Sequence, residues 1–363
     1  MRVDRALTQA PAPAPSVAPT SWMEFARVAA MAAVIVVHAY SPFVSTTYTD
    51  IGGYDWWTAH VLDSGLRWCV AVFVMISGAL LLRPRDEPVA DFYRKRWAKI
   101  GVPLFVWTAA YLIWMQWRDG ISLTEALTQA ATGSPSIHLY FLYVIAGLYL
   151  FTPFLRTVVA HTSRNGLWWF AGVALAVGVV DQLLSLMDGV GGVTAVTRFV
   201  PFLGYYLLGR LLFTVEPGPR VTRFGLAAFI LGVAGTIAGA AATTFVAGEW
   251  GAGGEYFYDF LSPPMILAGV GAYLSLRAAG LRLAAAEGPM ALATERAVRW
   301  LSGLSFGVYL VHVMVLYTLR DLGGTPDGVI GVLVAAGYAV ATAVISLVLV
   351  AIAQRIPLVR ATV

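Results

Sequence analysis

The 363-residue chain is 59% apolar and only 12% charged, with a formal net charge of +4. A water-soluble domain carries about 25% charged residues, so this composition excludes a soluble fold and places the chain in a bilayer. Its basic residues sit in short segments between apolar runs, a pattern of membrane topology that argues against nucleic-acid binding.

Residues 1–21, "MRVDRALTQAPAPAPSVAPTS", are rich in Pro and Ala and read as a disordered tail. The apolar run that follows exceeds the ~7–15 residues of a signal-peptide core and carries internal polar groups, so it is read as a true first span. Ten apolar runs follow one another near 22–43, 62–83, 100–118, 138–156, 166–186, 198–214, 223–247, 258–279, 300–320 and 328–353. At ~20 residues per crossing they predict an all-α polytopic membrane protein of about ten spans. The membrane domain is expected over 22–355, followed by a short tail at 356–363.

With the N-terminus placed in the cytoplasm, nineteen of the 24 basic residues fall at cytoplasmic ends of the spans. Arg118, Arg198 and Arg320 fall on the other side, and Arg27 and Arg67 lie within spans. This bias predicts that both termini face the cytoplasm of a multi-pass plasma-membrane (inner-membrane) protein. The outer loops "STTYTDIGGYDWWTAHVLD" and "GEWGAGGEYFYD" lack Lys and Arg. Their aromatics read first as an interfacial belt, with a stacking platform for sugars as the functional alternative.

The first span, "EFARVAAMAAVIVVH", carries Arg27 and His38. Eleven positions at ~100° each return both side chains to one helix face, about 16 Å apart along the axis. Ionisable groups at such depth cost roughly 2.5–3.5 kcal/mol each on insertion scales, which directs attention to function. Arg27 has a second reading as a snorkelling side chain, and His38 one as a helix-to-helix hydrogen bond.

The same stretch resembles the opening of the acyltransferase 3 family of membrane proteins, with Glu24 in the acidic place before the Arg–His pair. "FVMISGALLL" (73–82) is similar to the family's Ser-Gly stretch, here Ser77-Gly78. "FYRKRWAKIGVPLFVW" (92–107) resembles its basic loop, and "LSGLSFGVYLVH" (301–312) its C-terminal Ser…Tyr-Leu-x-His stretch. "YFLYVIAGLYLFTPFLR" (140–156) further resembles a subgroup that O-acetylates surface polysaccharides such as enterobacterial common antigen. The resemblance runs over about residues 22–353. Two departures stand out: Ala79 occupies the place of the usual Phe, and the soluble domain appended in some members is not in these residues.

The resemblance implies transfer of an acyl group, commonly acetyl, from cytoplasmic acyl-CoA to a hydroxyl of a lipid-linked or surface glycan. No permanently bound cofactor is implied. A hydroxyl needs a base to take its proton, and neutral His38 is the candidate, with Arg27 binding the donor or stabilising developing oxyanion charge. Arg94, Arg96 and Lys99 become candidate contacts to the coenzyme phosphates, although the positive-inside bias alone also explains a basic cluster there. Ser77 and Gly78 read as small residues for close helix packing, because no base for a serine nucleophile is evident. Tyr309 and His312 are read as supporting residues, with core hydrogen bonding of His312 to Tyr309 or Ser305 as the alternative.

His60, His138 and His161 flank spans and lack metal-ligand spacing, so no metal is expected. Asp181 and Arg198 form a candidate structural pair across an outer loop. The rival function from another class is a ten-span transporter with Arg27, His38 and Asp181 lining its pathway. A third is an acyltransferase acting on a lipid, peptide or antibiotic hydroxyl. No inverted repeat with paired broken helices is visible between the halves.

Overall fold

The computed structural model describes residues 20–45, 51–186 and 194–363, and among these it contains helices and no strands. Most of the expected tail, residues 1–19, and part of the first outer loop, 46–50, lie outside the described residues. In chain order the helices are α1 (Ser21–Tyr40), the single turn α2 (Pro42–Ser45), α3 (Tyr54–Leu66), α4 (Cys69–Leu81) and α5 (Val89–Arg96). There follow α6 (Val102–Asp119), α7 (Leu123–Thr132), α8 (Tyr140–His161), α9 (Arg164–Leu184) and α10 (Leu203–Phe213). The last five are α11 (Pro219–Ala247), α12 (Ala252–Tyr258), α13 (Pro263–Ala284), α14 (Pro289–Gly323) and α15 (Gly328–Ala353).

Among the described residues, nine helical segments are long and apolar enough to cross a membrane, against the ten expected. The sixth run, 198–214, yields only the shorter helix Val200–Phe213. It is buried over most of its length and wedged between α4 and α9. Its beginning lies near Thr132, through Arg198, and its end shares a groove with Arg164, so it still connects the two ends of the bundle.

The core forms around α1, which packs against α3, α4, α13, α14 and α15. Its buried Ala26, Ala30 and Ala33 let these neighbours approach closely, as small residues do where lipid offers no hydrophobic drive. The α4–α10 crossing is tighter still. A Cβ at Gly78 would run into the Tyr206 carbonyl, and one at Gly209 into the Met75 carbonyl. The outward faces carry Ile113, Trp117, Phe154, Trp169 and Ile230 exposed, a large apolar sheath suited to lipid rather than water.

Between α5 and α6 the chain makes a π-helical turn, Trp97–Gly101. Pro103 explains it: with no N–H to donate and a ring that crowds the carbonyl four residues back, it cannot continue a regular α-helix through this point. Arginines satisfy the carbonyls left unpaired at helix C-termini. At one end of the bundle, Arg277 Nη1 donates to Leu212 and Val215, both at 2.8 Å, and Arg156 Nε donates to Leu81 at 2.6 Å. At the other, Arg320 Nη2 donates to the carbonyls of His38 and Ala39, both at 2.8 Å, closing the end of α1. Arg198 acts likewise. It donates to the Thr132 carbonyl at the end of α7 from Nε at 2.9 Å and Nη2 at 2.6 Å, and forms no ion pair with the exposed Asp181. The unpaired helix-end carbonyl is the fixed partner, so the expected Asp181–Arg198 pair gives way to a cap.

Candidate active site

Arg27 and His38 open into two cavities that share a wall. A cavity of about 230 Å³ is lined by His38 together with Arg67, Cys69, His138, Tyr140 and Phe260. A smaller one of about 130 Å³ is lined by Arg27 with Ser77, Ile145, Tyr149, Ser305 and Phe306. Phe73, Phe141 and Tyr309 line both. Their rings stand in contact, at 6.0 Å between the two phenylalanines and 5.8 Å between Phe141 and Tyr309, forming a collar between the compartments. The helical face shared by Arg27 and His38 thus borders two cavities divided by three aromatic rings.

Beyond His38 the series of spaces continues. Ser41, Arg67 and Phe260 line both the His38 cavity and a third space of about 270 Å³. This outer vestibule is completed by Ser45, Trp250, Glu255, Tyr258 and Asp259. Arg67 stands at the junction. Its Nε and Nη2 donate to the two carboxylate oxygens of buried Asp63 at 2.6 and 3.1 Å, and its guanidinium lies 4.1 Å over the Tyr258 ring. Behind it, His60 is held as structure: it stacks on Trp56 and Tyr258, and its Nε2 donates to the Ile237 carbonyl at 3.0 Å. Nδ1 is then left to accept from the Tyr258 hydroxyl at 2.7 Å.

Three histidines meet beside the larger cavity, and two of them, His38 and His138, line it. The His38 ring is 5.4 Å from that of His312 and 6.2 Å from that of His138, and the latter two are 4.9 Å apart. His38 makes no hydrogen bond to any described residue through its ring. His312 donates from Nδ1 to the Tyr309 carbonyl at 2.7 Å, and the Tyr309 hydroxyl donates to the His138 carbonyl at 2.6 Å. Ser305 instead donates to Ser302 within its own helix. No group of histidine, cysteine or acidic residues among the described residues has the arrangement to hold a metal ion.

The basic candidates separate. Arg94 is exposed and pairs with Asp91 at 3.0 Å, and Lys99 is exposed on the π-turn. Arg96 alone turns inward, its guanidinium 5.2 Å over Phe92 and 5.8 Å over Tyr149, a residue that lines the Arg27 cavity. Arg27 itself makes no ion pair with any described residue, Glu24 included. Ser77 faces that cavity and receives the Tyr149 hydroxyl at 3.4 Å, while Gly78 serves the α4–α10 crossing. His161 is exposed, its Nδ1 turned to its own helix at Thr157, far from this chemistry.

Two lining groups escaped sequence reasoning. From the sequence, His138 reads as an interfacial residue and Arg67 as a cation within a span, with no role assigned. The signal for Arg67 was present: Asp63 lies four positions earlier, the spacing of a helical ion pair. For His138 there was none, since only the fold brings the segment before α8 against α14.

A bundle of apolar helices that encloses Arg- and His-lined cavities defines a polytopic membrane protein with an internal polar site. The family described as an acyltransferase domain, acyltransferase 3, matches residues 20–351, and the chain belongs to it. It is therefore a multi-pass membrane acyltransferase. No curated protein and no solved structure matches the chain.

Proposed function

We propose that the protein moves a short acyl group, acetyl in the first instance, from acyl-CoA to a hydroxyl of a lipid-linked or surface glycan at the plasma membrane. The observation that carries this reading is the series of three spaces with shared walls, from Arg27 through His38 to the aromatic vestibule. In this reading both termini are cytoplasmic, and the donor enters at the end bearing Arg27 and Arg96. Arg96, with Arg94 and Lys99 further out, meets the coenzyme phosphates by charge-assisted hydrogen bonds. Arg27 holds the pantetheine end or the developing oxyanion. The acceptor arrives in the vestibule, where Trp250 offers a ring face and Asp259 and Glu255 offer acceptors for sugar hydroxyls.

His38 takes the acceptor proton as its oxygen attacks the thioester carbonyl, and the proton finally resides on the coenzyme sulfur. No resident cofactor is needed for this chemistry. General-base catalysis contributes about 10²–10⁴-fold. Replacing His38 by Ala is therefore expected to lower acyl transfer by that factor while the protein remains inserted, measured as thiol release from acetyl-CoA and acetylated glycan by mass spectrometry in isolated membranes. Undiminished transfer in inserted His38→Ala protein would overturn the proposal.

A further inference from the structure

His312 does not line the cavity that His38 faces, yet its ring is the nearest imidazole to His38, at 5.4 Å between centroids. No hydrogen bond joins the two rings in this structure, but at that separation a turn of the His38 ring that pointed one of its nitrogens at His312 would bring two ring nitrogens to about 3 Å, within hydrogen-bonding range. The protonation pattern of His312 is set by its surroundings. Nδ1 faces the Tyr309 carbonyl at 2.7 Å, with the Val308 carbonyl beside it, and a carbonyl only accepts. Nδ1 therefore carries the hydrogen in the neutral ring, and Nε2 is bare. That Nε2 is buried and has no hydrogen-bond partner among the described residues. A buried acceptor left without a donor costs free energy, so its persistence here needs an explanation.

We propose that His312 is a positioning residue for the acyl transfer: its bare Nε2 accepts the N–H of His38, which fixes the His38 tautomer and turns the other, unprotonated nitrogen of His38 into the cavity. This rests on the reading of His38 as the base. The arrangement has the logic of a catalytic triad, in which a third group orients the base, with a backbone-anchored imidazole in the place of a carboxylate. As the acceptor O–H breaks, its proton goes to the cavity-facing nitrogen of His38. The resulting imidazolium is held through its other N–H by His312. When the acyl–sulfur bond breaks and the acyl–oxygen bond forms, the proton passes to the departing thiolate, and His38 returns to its starting tautomer.

The remaining groups around His38 cannot take this role. His138 also has a buried Nε2 without a hydrogen-bond partner, but its Nδ1 is engaged by the Ser136 hydroxyl at 3.2 Å and its ring is further away, at 6.2 Å. Arg67 is held by Asp63, and Arg320 by the His38 and Ala39 carbonyls, and neither is an acceptor. Tyr309 donates its hydroxyl hydrogen to the His138 carbonyl, and its phenolic oxygen is a weaker acceptor than a bare imidazole nitrogen.

The chain has only five histidines, so ¹⁵N-histidine labelling of the full-length protein in nanodiscs gives at most five ring spin systems. Loss of signals in His38→Asn and His312→Asn assigns two of them. In the native protein His38 is expected as one neutral tautomer, and in His312→Phe as a mixture of two. His312→Gln, which keeps an acceptor oxygen, is expected to restore the single tautomer. In thiol release from acetyl-CoA, kcat is expected to fall about 10- to 100-fold in His312→Phe, as for groups that orient a reacting ligand. KM for acetyl-CoA is expected to hold, with partial recovery in His312→Gln. An unchanged His38 tautomer in folded His312→Phe protein, or a change produced by His138→Asn instead, overturns the proposal. The tautomer readout needs no turnover, so inactivity of the native protein toward acetyl-CoA would count against the proposed function and leave the positioning role standing.

Discussion

Arg67 illustrates how a charge is kept inside the bundle. The Asp63 carboxylate opposite it is fully buried, and both of its oxygens receive guanidinium N–H groups. Removing one partner strands the other charge, which costs about 3–5 kcal/mol, whereas removing both together with an apolar replacement is close to neutral. Arg67→Met is therefore expected to lower the thermal stability of the detergent-solubilised protein markedly, and Asp63→Leu in the same chain to recover most of the loss. Thermal unfolding followed by tryptophan fluorescence checks both. The same pair shows why a residue can be legible yet unread: the four-residue spacing is local, but that Arg67 borders two spaces depends on Tyr258 and Phe260, far along the chain.

At the scale of elements, α4, α8 and α14 each place one ring in the collar: Phe73, Phe141 and Tyr309. Any acyl chain travelling from the Arg27 side must pass these rings, and the small cavity before them holds about 130 Å³. Phe73→Ala and Phe141→Ala are expected to raise the rate with butyryl- and hexanoyl-CoA relative to acetyl-CoA, as measured by thiol release. A second device joins α5 to α8. Glu87 accepts Lys95 at 2.8 Å and Arg156 at 3.1 Å, and these contacts, the hydrogen bond from Lys95 first, hold its carboxyl below the usual carboxylate range. Because the folded state favours the charged form, this stabilisation is full above the ordinary value of about 4.3 and fades as pH falls through the lower folded value. Glu87→Gln is expected to cost about 1 kcal/mol at pH 7. The gap from the parent should narrow below about pH 4 in urea unfolding at stepped pH.

At the scale of the whole molecule, the expectation of ten crossings met, among the described residues, nine segments of full length and one short helix. The run 198–214 was apolar enough to suggest a span, but α10 is enclosed by protein on most of its surface and need not match the thickness of hydrocarbon. The direction of the bundle is open to a direct measurement. In a Cys69→Ser background, which removes the one native, buried thiol, Glu255→Cys is expected to react with a membrane-impermeant maleimide on intact cells. Arg85→Cys should react only after permeabilisation. Reversed labelling would invert the proposed entry side of the donor.

By itself the sequence determined that this chain lives in a membrane, where its apolar runs lie, and that Arg27 and His38 share a face. Each of these follows from composition, length and the 3.6-residue period, quantities read within one segment. The tertiary structure alone decided that His138 and His312 join His38, that Arg67 stands between cavity and vestibule, and that Arg198 caps a helix instead of meeting Asp181. Those groups come from different helices and the segments between them. Their encounters depend on how small residues such as Gly78 and Ala30 let helices approach, which no single stretch of sequence encodes.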